Sequence, residues 1–86
     1  MKRYSVEVSS SAERQLGKIQ RRDQVRIARA MSGLASDPRP AGSRKLAGYD
    51  DVYRIRVGTY RVIYSVDEGK IIVIVLKIGH RRDVYR

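Results

Sequence analysis

Alternating apolar and polar positions predict a strand near the start of this chain, and helical spacing predicts two helices after it. Arg3–Val8 alternates with period two, as a half-buried strand does. The next stretch opens with a capping-box pattern, which makes Ser10 the N-cap of a first helix and Glu13 its third residue. A second helix is predicted over 23–35, with an apolar face and a basic face. A proline-containing segment ends it.

The last third of the chain is predicted to consist of strands. Val52–Val57 and Tyr60–Val66 flank Gly58 and Thr59, a pair suited to a type II′ hairpin turn. Residues 70–78 form a nearly continuous apolar run, which is typical of a central strand covered on both faces. We therefore expect one α+β domain over residues 1–86, in the order β-α-α-β-β-β. Its two-helix hairpin would pack on a mainly antiparallel four-stranded sheet.

The predicted hairpin gathers three arginines on one sheet face. Its register places Arg56 opposite Arg61 and Arg54 opposite Ile63. Like charges that face each other across strands destabilise a sheet. Such a face is best tolerated when an anion such as a phosphate lies on it, although a solvated outer face is the simpler alternative.

Composition points to an anionic partner and excludes several chemistries. The net charge is +10 over 86 residues, and fourteen of the nineteen basic residues are arginine, whose guanidinium group matches phosphate oxygens in a bidentate way. No cysteine and a single histidine exclude disulfides, thiolate chemistry and a structural zinc site. We expect no metal or cofactor. With no signal-peptide pattern and no apolar run long enough to span a bilayer, we expect a cytoplasmic protein without a membrane partner.

Basic and aromatic residues follow the last predicted strand. They are His80, Arg81, Arg82 and Tyr85. Interleaved arginine and tyrosine are typical of surfaces that bind RNA, where bases stack on rings and guanidinium planes. An imidazole also suits proton transfer near neutral pH, although a lone histidine at a strand end more often has a structural or solvated role.

Three motifs carry a family resemblance: "KLAG", "YRIRVGTYRVIY", and Ile78-Gly79-His80-Arg81 followed by "VYR". With them the chain resembles the RelE branch of the RelE/ParE toxin superfamily. The resemblance implies a microbial-ribonuclease-like fold and a metal-independent endoribonuclease that cleaves mRNA in the ribosomal A site. The message's own 2′-hydroxyl would attack the adjacent phosphate. Translation inhibition and growth arrest would follow, held off by a RelB-like antitoxin, and operator DNA would be contacted only through the antitoxin complex.

The resemblance also implies roles for individual residues. Arg61 matches the family's transition-state arginine, Arg81 matches a second phosphate ligand, and Tyr85 matches a tyrosine that stacks on or orients the substrate base. Arg54 and Arg56 stand where the best-known member has lysines. Two further residues are assigned to phosphate binding, namely Arg82 and Lys45.

Arginine in place of lysine at these two positions changes which residue can transfer a proton. Arginine does not readily release its proton, so Arg56 is expected to stabilise charge rather than act as a base. Proton transfer would then fall to His80 or Tyr85, or the ribosome would position the RNA well enough for weak base catalysis to suffice. We expect His80 to be the base or acid.

Two other functions fit the residues less well. One is a ParE-like toxin that poisons DNA gyrase, a branch that usually lacks the basic strand pair and the tyrosine corresponding to Tyr85. The other is a non-catalytic basic RNA-binding module, which would bind RNA in a salt-sensitive way without cleaving it.

Overall fold

A computed structural model describes residues 3–80, which form one mixed sheet with two helices on one of its faces. The elements are β1 (Ser5–Val8), α1 (Ser10–Gly17), α2 (Arg21–Gly33), β2 (Arg44–Lys45), β3 (Val52–Val57), β4 (Tyr60–Asp67) and β5 (Ile72–His80). The strand order is β1-β5-β4-β3-β2, with β1 parallel to β5 and all other pairs antiparallel. The predicted α+β fold is confirmed. The sheet has five strands rather than the expected four, because the short Arg44–Lys45 segment also pairs with β3.

Both helices begin earlier than the sequence pattern predicts. The N-cap of α1 is Ser9 rather than Ser10, and its Oγ accepts a hydrogen bond from Ala12 N at 3.1 Å. Three successive serines offer the same capping chemistry. Ser9 takes the role because its own N–H donates to Val75 O, which fixes where the chain leaves β1. Helix α2 begins and ends two residues before the predicted range.

The core forms where the alternating residues of the strands meet the apolar stripes of the helices. Buried residues of β4 and β5 pack against buried residues of both helices and the segment after α2. The most deeply buried large side chains are Ile27, Leu34, Val62, Tyr64, Val73, Val75 and Ile78. Tyr64 also lies in this core, with Tyr53 and Tyr60 packed against it. No helix within residues 3–80 is long and apolar enough to cross a membrane.

Side chains of the α1 region complete the outer edge of β5. Strand β1 pairs with β5 only as far as Val75. Beyond that point, Gln15 Oε1 accepts a hydrogen bond from Ile78 N at 2.7 Å, and Ser9 Oγ donates to Leu76 O at 3.1 Å. These bonds occupy backbone groups that an edge strand otherwise leaves open to a partner. They also fix α1 beside the end of β5.

Candidate functional site

The β3–β4 hairpin has the predicted register. Arg56 lies opposite Arg61, and Arg54 lies opposite Ile63. Gly58 has a φ of 61°, the left-handed value that a type II′ turn requires at its first central position. Because directly opposed residues point to the same side of a sheet, the three arginines share the face turned away from the helices.

Two more basic residues extend this face across neighbouring strands. Arg44 lies opposite Arg54, and Lys77 lies opposite Ile63. The side chains form two rows across the sheet, one containing the Arg56–Arg61 pair and the other running from Arg44 to Lys77. We call five residues the basic face: Arg44, Arg54, Arg56, Arg61 and Lys77.

Burial differs among these guanidinium groups. Arg54 is only 8 % exposed, whereas Arg44 and Arg56 are exposed. Arg61 is half-buried, and its Nε atom is buried. Neither row of the basic face contains an acidic residue. A desolvated cation in such a setting interacts more strongly with an anion than a fully hydrated cation does.

The structure places Lys45 on the other face of the sheet. It lies opposite Tyr53, whose side chain packs on the core side. The structure therefore places Arg44, rather than Lys45, on the face that carries the arginines. The only sequence signal for this placement is the alternation of a two-residue strand, which is too short to recognise before its partner is known.

His80 also lies away from the basic face. It is paired with Tyr60, and the two rings make an edge-on contact with centroids 5.9 Å apart. Both residues line a cleft of about 330 Å³ on the helix side, next to Gln15, Lys18 and Ile19 of the first helical region. The structure thus does not bring the imidazole together with the arginines. The other predicted residues of the tail, Arg81, Arg82 and Tyr85, lie outside the described residues.

A polar cluster fixes the segment that leads into β2. Arg39 donates to Glu68 Oε1 at 2.6 Å and, through Nε, to the Tyr53 hydroxyl at 3.0 Å. The Tyr4 hydroxyl donates to Glu68 Oε2 at 2.6 Å, and this hydrogen bond raises the pKa of Tyr4. The carboxylate therefore joins two segments that are distant in sequence.

Pro38, the residue before Arg39, is also held by a hydrogen bond. The hydroxyl of Tyr64 donates to Pro38 O at 2.7 Å, and burial raises the pKa of Tyr64 to about 12. The same ring stacks on Tyr53 with centroids 6.0 Å apart. These contacts hold the start of the loop that carries Arg44 to the edge of β3.

Within residues 3–80, no three histidine, cysteine, aspartate or glutamate residues lie close enough to hold a metal ion. The charged chemistry of the described site is therefore that of arginine and lysine. Its arrangement suits an extended polyanion that can contact both rows at once.

The chain matches the family model described as the ParE toxin of the type II toxin–antitoxin system parDE, over residues 6–85. It belongs to the RelE/ParE toxin superfamily. Toxin RelG of Mycobacterium tuberculosis is 33% identical over 87 residues, covering 96% of this chain and 97% of that protein. The chain is thus the toxin of a type II toxin–antitoxin system, with a RelE-like structure.

Solved structures of superfamily members share this fold. A chain of the archaeal RelE–RelB complex from Pyrococcus horikoshii OT3 aligns with a TM-score of 0.82 and 29% identity, covering 94% of this chain and 98% of that one. A chain of the RelBE2 complex from Mycobacterium tuberculosis aligns with a TM-score of 0.79 and 27% identity, covering 92% and 99%. The match spans nearly the full length of each relative.

Proposed function

We propose that this toxin is a ribosome-dependent endoribonuclease that cuts mRNA in the A site. The observation that carries the proposal is the direct opposition of Arg56 and Arg61, with Arg54 one step along β3. Negative charge builds on the phosphate oxygens when the message's 2′-oxygen attacks phosphorus. Fixed guanidinium groups stabilise that charge more in the transition state than in the ground state.

The proposed reaction needs no group beyond the RNA itself as nucleophile. The bond between the 2′-oxygen and phosphorus forms as the 2′-hydroxyl gives up its proton, and the bond from phosphorus to the 5′-oxygen breaks as that oxygen takes up a proton. The products are a 2′,3′-cyclic phosphate and a 5′-hydroxyl. Arg61 contacts the non-bridging oxygens, and Arg56 contacts them from the neighbouring strand. Since arginine does not give up its proton, both residues act on charge and neither acts as the base.

Residues beyond β5 complete the proposed site. Arg81 is a second phosphate ligand, Arg82 contacts phosphate, and Tyr85 stacks on or orients the base, as the resemblance implies. The ring of His80 lies on the helix side of the sheet, so we do not assign proton transfer to it. Either Tyr85 transfers the proton, or the ribosome positions the 2′-hydroxyl so well that weak base catalysis suffices.

Mapping the 5′ ends of cellular messages after induction tests this function. We expect new ends inside coding sequences, in frame, that disappear when translation initiation is blocked. Arg61→Ala and Arg81→Ala should each abolish both cleavage and growth arrest. Arg29→Gln is the matched control, because it removes one positive charge from an exposed position of α2. Full toxicity of both alanine variants would contradict the proposal.

We further propose that a RelB-like antitoxin neutralises this toxin. The support is that the similar chain from Pyrococcus horikoshii OT3 was solved as a RelE–RelB complex, and that a net charge of +10 favours an acidic partner. Operator DNA would be reached only through that complex. Copurification of the toxin with the product of an adjacent gene, with no growth arrest when both are expressed, tests this partner.

A ParE-like toxin that poisons DNA gyrase is the second candidate, and the description of the matching family model favours it. The two functions differ in the cellular process that is inhibited first after the toxin is induced. Arrest of protein synthesis without DNA-damage signalling supports the ribonuclease. DNA-damage signalling with intact messages supports the gyrase poison.

A further inference from the structure

We propose that Arg44 and Arg54 hold a second RNA phosphate, adjacent to the phosphate that Arg56 and Arg61 hold. The inference deepens the proposed function, on which it rests for the identity of the polyanion. It assigns to Arg44 a binding role that the sequence pattern places on Lys45. It also gives the bound RNA a direction, from the β3–β4 hairpin toward the sheet edge at β2.

The first observation is the state of Arg54. The residue is only 8 % exposed, and it lies directly opposite a second arginine, Arg44. The side-chain ion pairs found between described residues are Arg26–Asp23 and Arg39–Glu68, and neither involves this pair. Across the described chain, neither Arg44 nor Arg54 makes a side-chain hydrogen bond. The guanidinium nitrogens of Arg54 are not fully buried, so an anion can reach them from solvent. A largely desolvated cation binds such an anion more strongly than a hydrated one does.

The second observation is the spacing of the two arginine pairs. Arg54 and Arg56 are two residues apart on β3, which separates their side chains by roughly 7 Å along the strand. That spacing is similar to the distance between successive phosphates of an extended single strand of RNA. The two pairs also lie on opposite sides of β3, which displaces their centres by roughly one strand spacing across the sheet, a distance that the long arginine side chains can span. Ile63 is buried beside Arg54 and provides an apolar floor for the second position.

The third observation is the way Arg44 is held. Its strand has only two residues, but the loop before it is fixed by the Arg39–Glu68 ion pair and by the hydrogen bond from Tyr64 to Pro38. The N–H of Leu46 also donates to Val52 O at 2.9 Å, which fixes the other end. A cation held in place in this way loses little conformational entropy when it binds a phosphate.

Adjacent residues supply a matched pair of variants. Arg44→Gln and Lys45→Gln remove the same charge from neighbouring exposed positions that face opposite sides of the sheet. The probe is a fluorescent 2′-O-methyl RNA trinucleotide, which cannot be cleaved by 2′-hydroxyl attack. Its affinity for the whole toxin is measured by anisotropy at several salt concentrations. A dinucleotide with only one internucleotide phosphate serves as the short probe.

We expect Arg44→Gln to weaken trinucleotide binding several-fold and to reduce the salt slope by about 0.7, the value for one lost phosphate contact on single-stranded nucleic acid. Lys45→Gln should bind as the wild type does. On the dinucleotide, Arg44→Gln and the wild type should be equal. Circular dichroism of each variant checks that the fold is retained.

Three outcomes would overturn the second phosphate site: equal losses in both variants, no loss in either, or no measurable RNA binding by the wild type. The result remains separate from the proposed function. Wild-type protein that cleaves messages on ribosomes while Arg44→Gln binds normally would refute only the second site. Selective loss of trinucleotide binding without any cleavage by the wild type would refute only the ribonuclease.

Discussion

Arg56 and Arg61 face each other directly across the hairpin, at a pairing position where sheets usually place opposite charges or two apolar residues. The turn fixes this opposition, because the two residues of the turn leave only one register for the flanking strands. The two side chains thus lie on the same face of neighbouring strands before any ligand binds. A phosphate bound between them would be attracted to both positive charges.

Replacing one arginine of this pair should lower activity without lowering the stability of the fold. We expect Arg56→Gln to change the free energy of unfolding by no more than about 0.5 kcal/mol, because the residue is exposed. Toxicity should fall at the same time. Urea denaturation and growth assays on one variant measure both effects. A loss of stability above about 1 kcal/mol would show instead that Arg56 is a structural residue.

A side chain in place of the turn glycine should destabilise the folded protein. Gly58→Ala should lower the free energy of unfolding by about 1–2 kcal/mol, because φ at this position is 61°. The added methyl would also approach Arg26 within 3.2 Å, although that flexible side chain can move aside.

Gly33→Ala is the control for this substitution. Gly33 ends α2 without a positive φ, and nothing lies within 4 Å of the added carbon. Gly33→Ala should raise the free energy of unfolding by roughly 0.5–1 kcal/mol. Thermal unfolding of both variants would reveal effects of opposite sign, and equal effects would rule out backbone strain as the cause.

The sequence predicted the hairpin because every determinant of its register is local. The alternation, the glycine at the turn and the two flanking strands lie within the sixteen residues from Val52 to Asp67. Strand β2 was missed because a two-residue strand has no periodicity of its own and exists only through pairing with β3. For the same reason the sequence could not show on which face Lys45 lies, since the face of a side chain depends on that pairing.

The position of His80 depends on a non-local feature in a similar way. β5 contains an irregularity opposite Ile63 and Tyr64, which shifts the register after Leu76. An extra residue at such a bulge reverses which side chains point to each face. Alternation counted from the start of the strand therefore could not place the imidazole.

The hydrogen bond from Ile78 to Gln15 should protect the β5 edge from solvent. Gln15→Ala should destabilise the protein by about 1 kcal/mol, because it leaves a part-buried backbone N–H without its acceptor. Gln15→Glu is the matched variant, since a carboxylate oxygen can still accept this bond. Hydrogen exchange at the Ile78 amide should accelerate in the alanine variant alone. Unchanged exchange in both variants would show that backbone burial, rather than Gln15, protects this edge.

Stability should decline in alkaline solution because of a buried tyrosine. The pKa of Tyr64 is raised to about 12, against about 10 for an unfolded chain. The folded state therefore holds this proton between pH 10 and 12 while the unfolded state releases it. Its contribution is fully present below pH 10 and is lost as the pH rises to 12, with a slope approaching about 1.4 kcal/mol per unit.

Tyr64→Phe isolates this contribution. The variant should be less stable by about 1 kcal/mol at neutral pH, because the hydrogen bond to Pro38 is lost. Its stability should fall less steeply above pH 10 than that of the wild type. Ultraviolet titration of the folded wild type should likewise show a tyrosine that ionises near pH 12 and is missing from the Tyr64→Phe variant. Parallel curves for the two proteins above pH 10 would contradict the role of Tyr64.

The parallel pairing of β1 with β5 has a consequence for the order in which the molecule is made. Strand β1 is synthesised early, but its only partner is the last strand of the described sheet. Contacts between segments so far apart in sequence form late, since the intervening chain must exist before the loop can close. The sheet thus stays open while the chain is being translated. Lys77 belongs to the same late strand, so the basic face is likewise completed only after β5 has been synthesised.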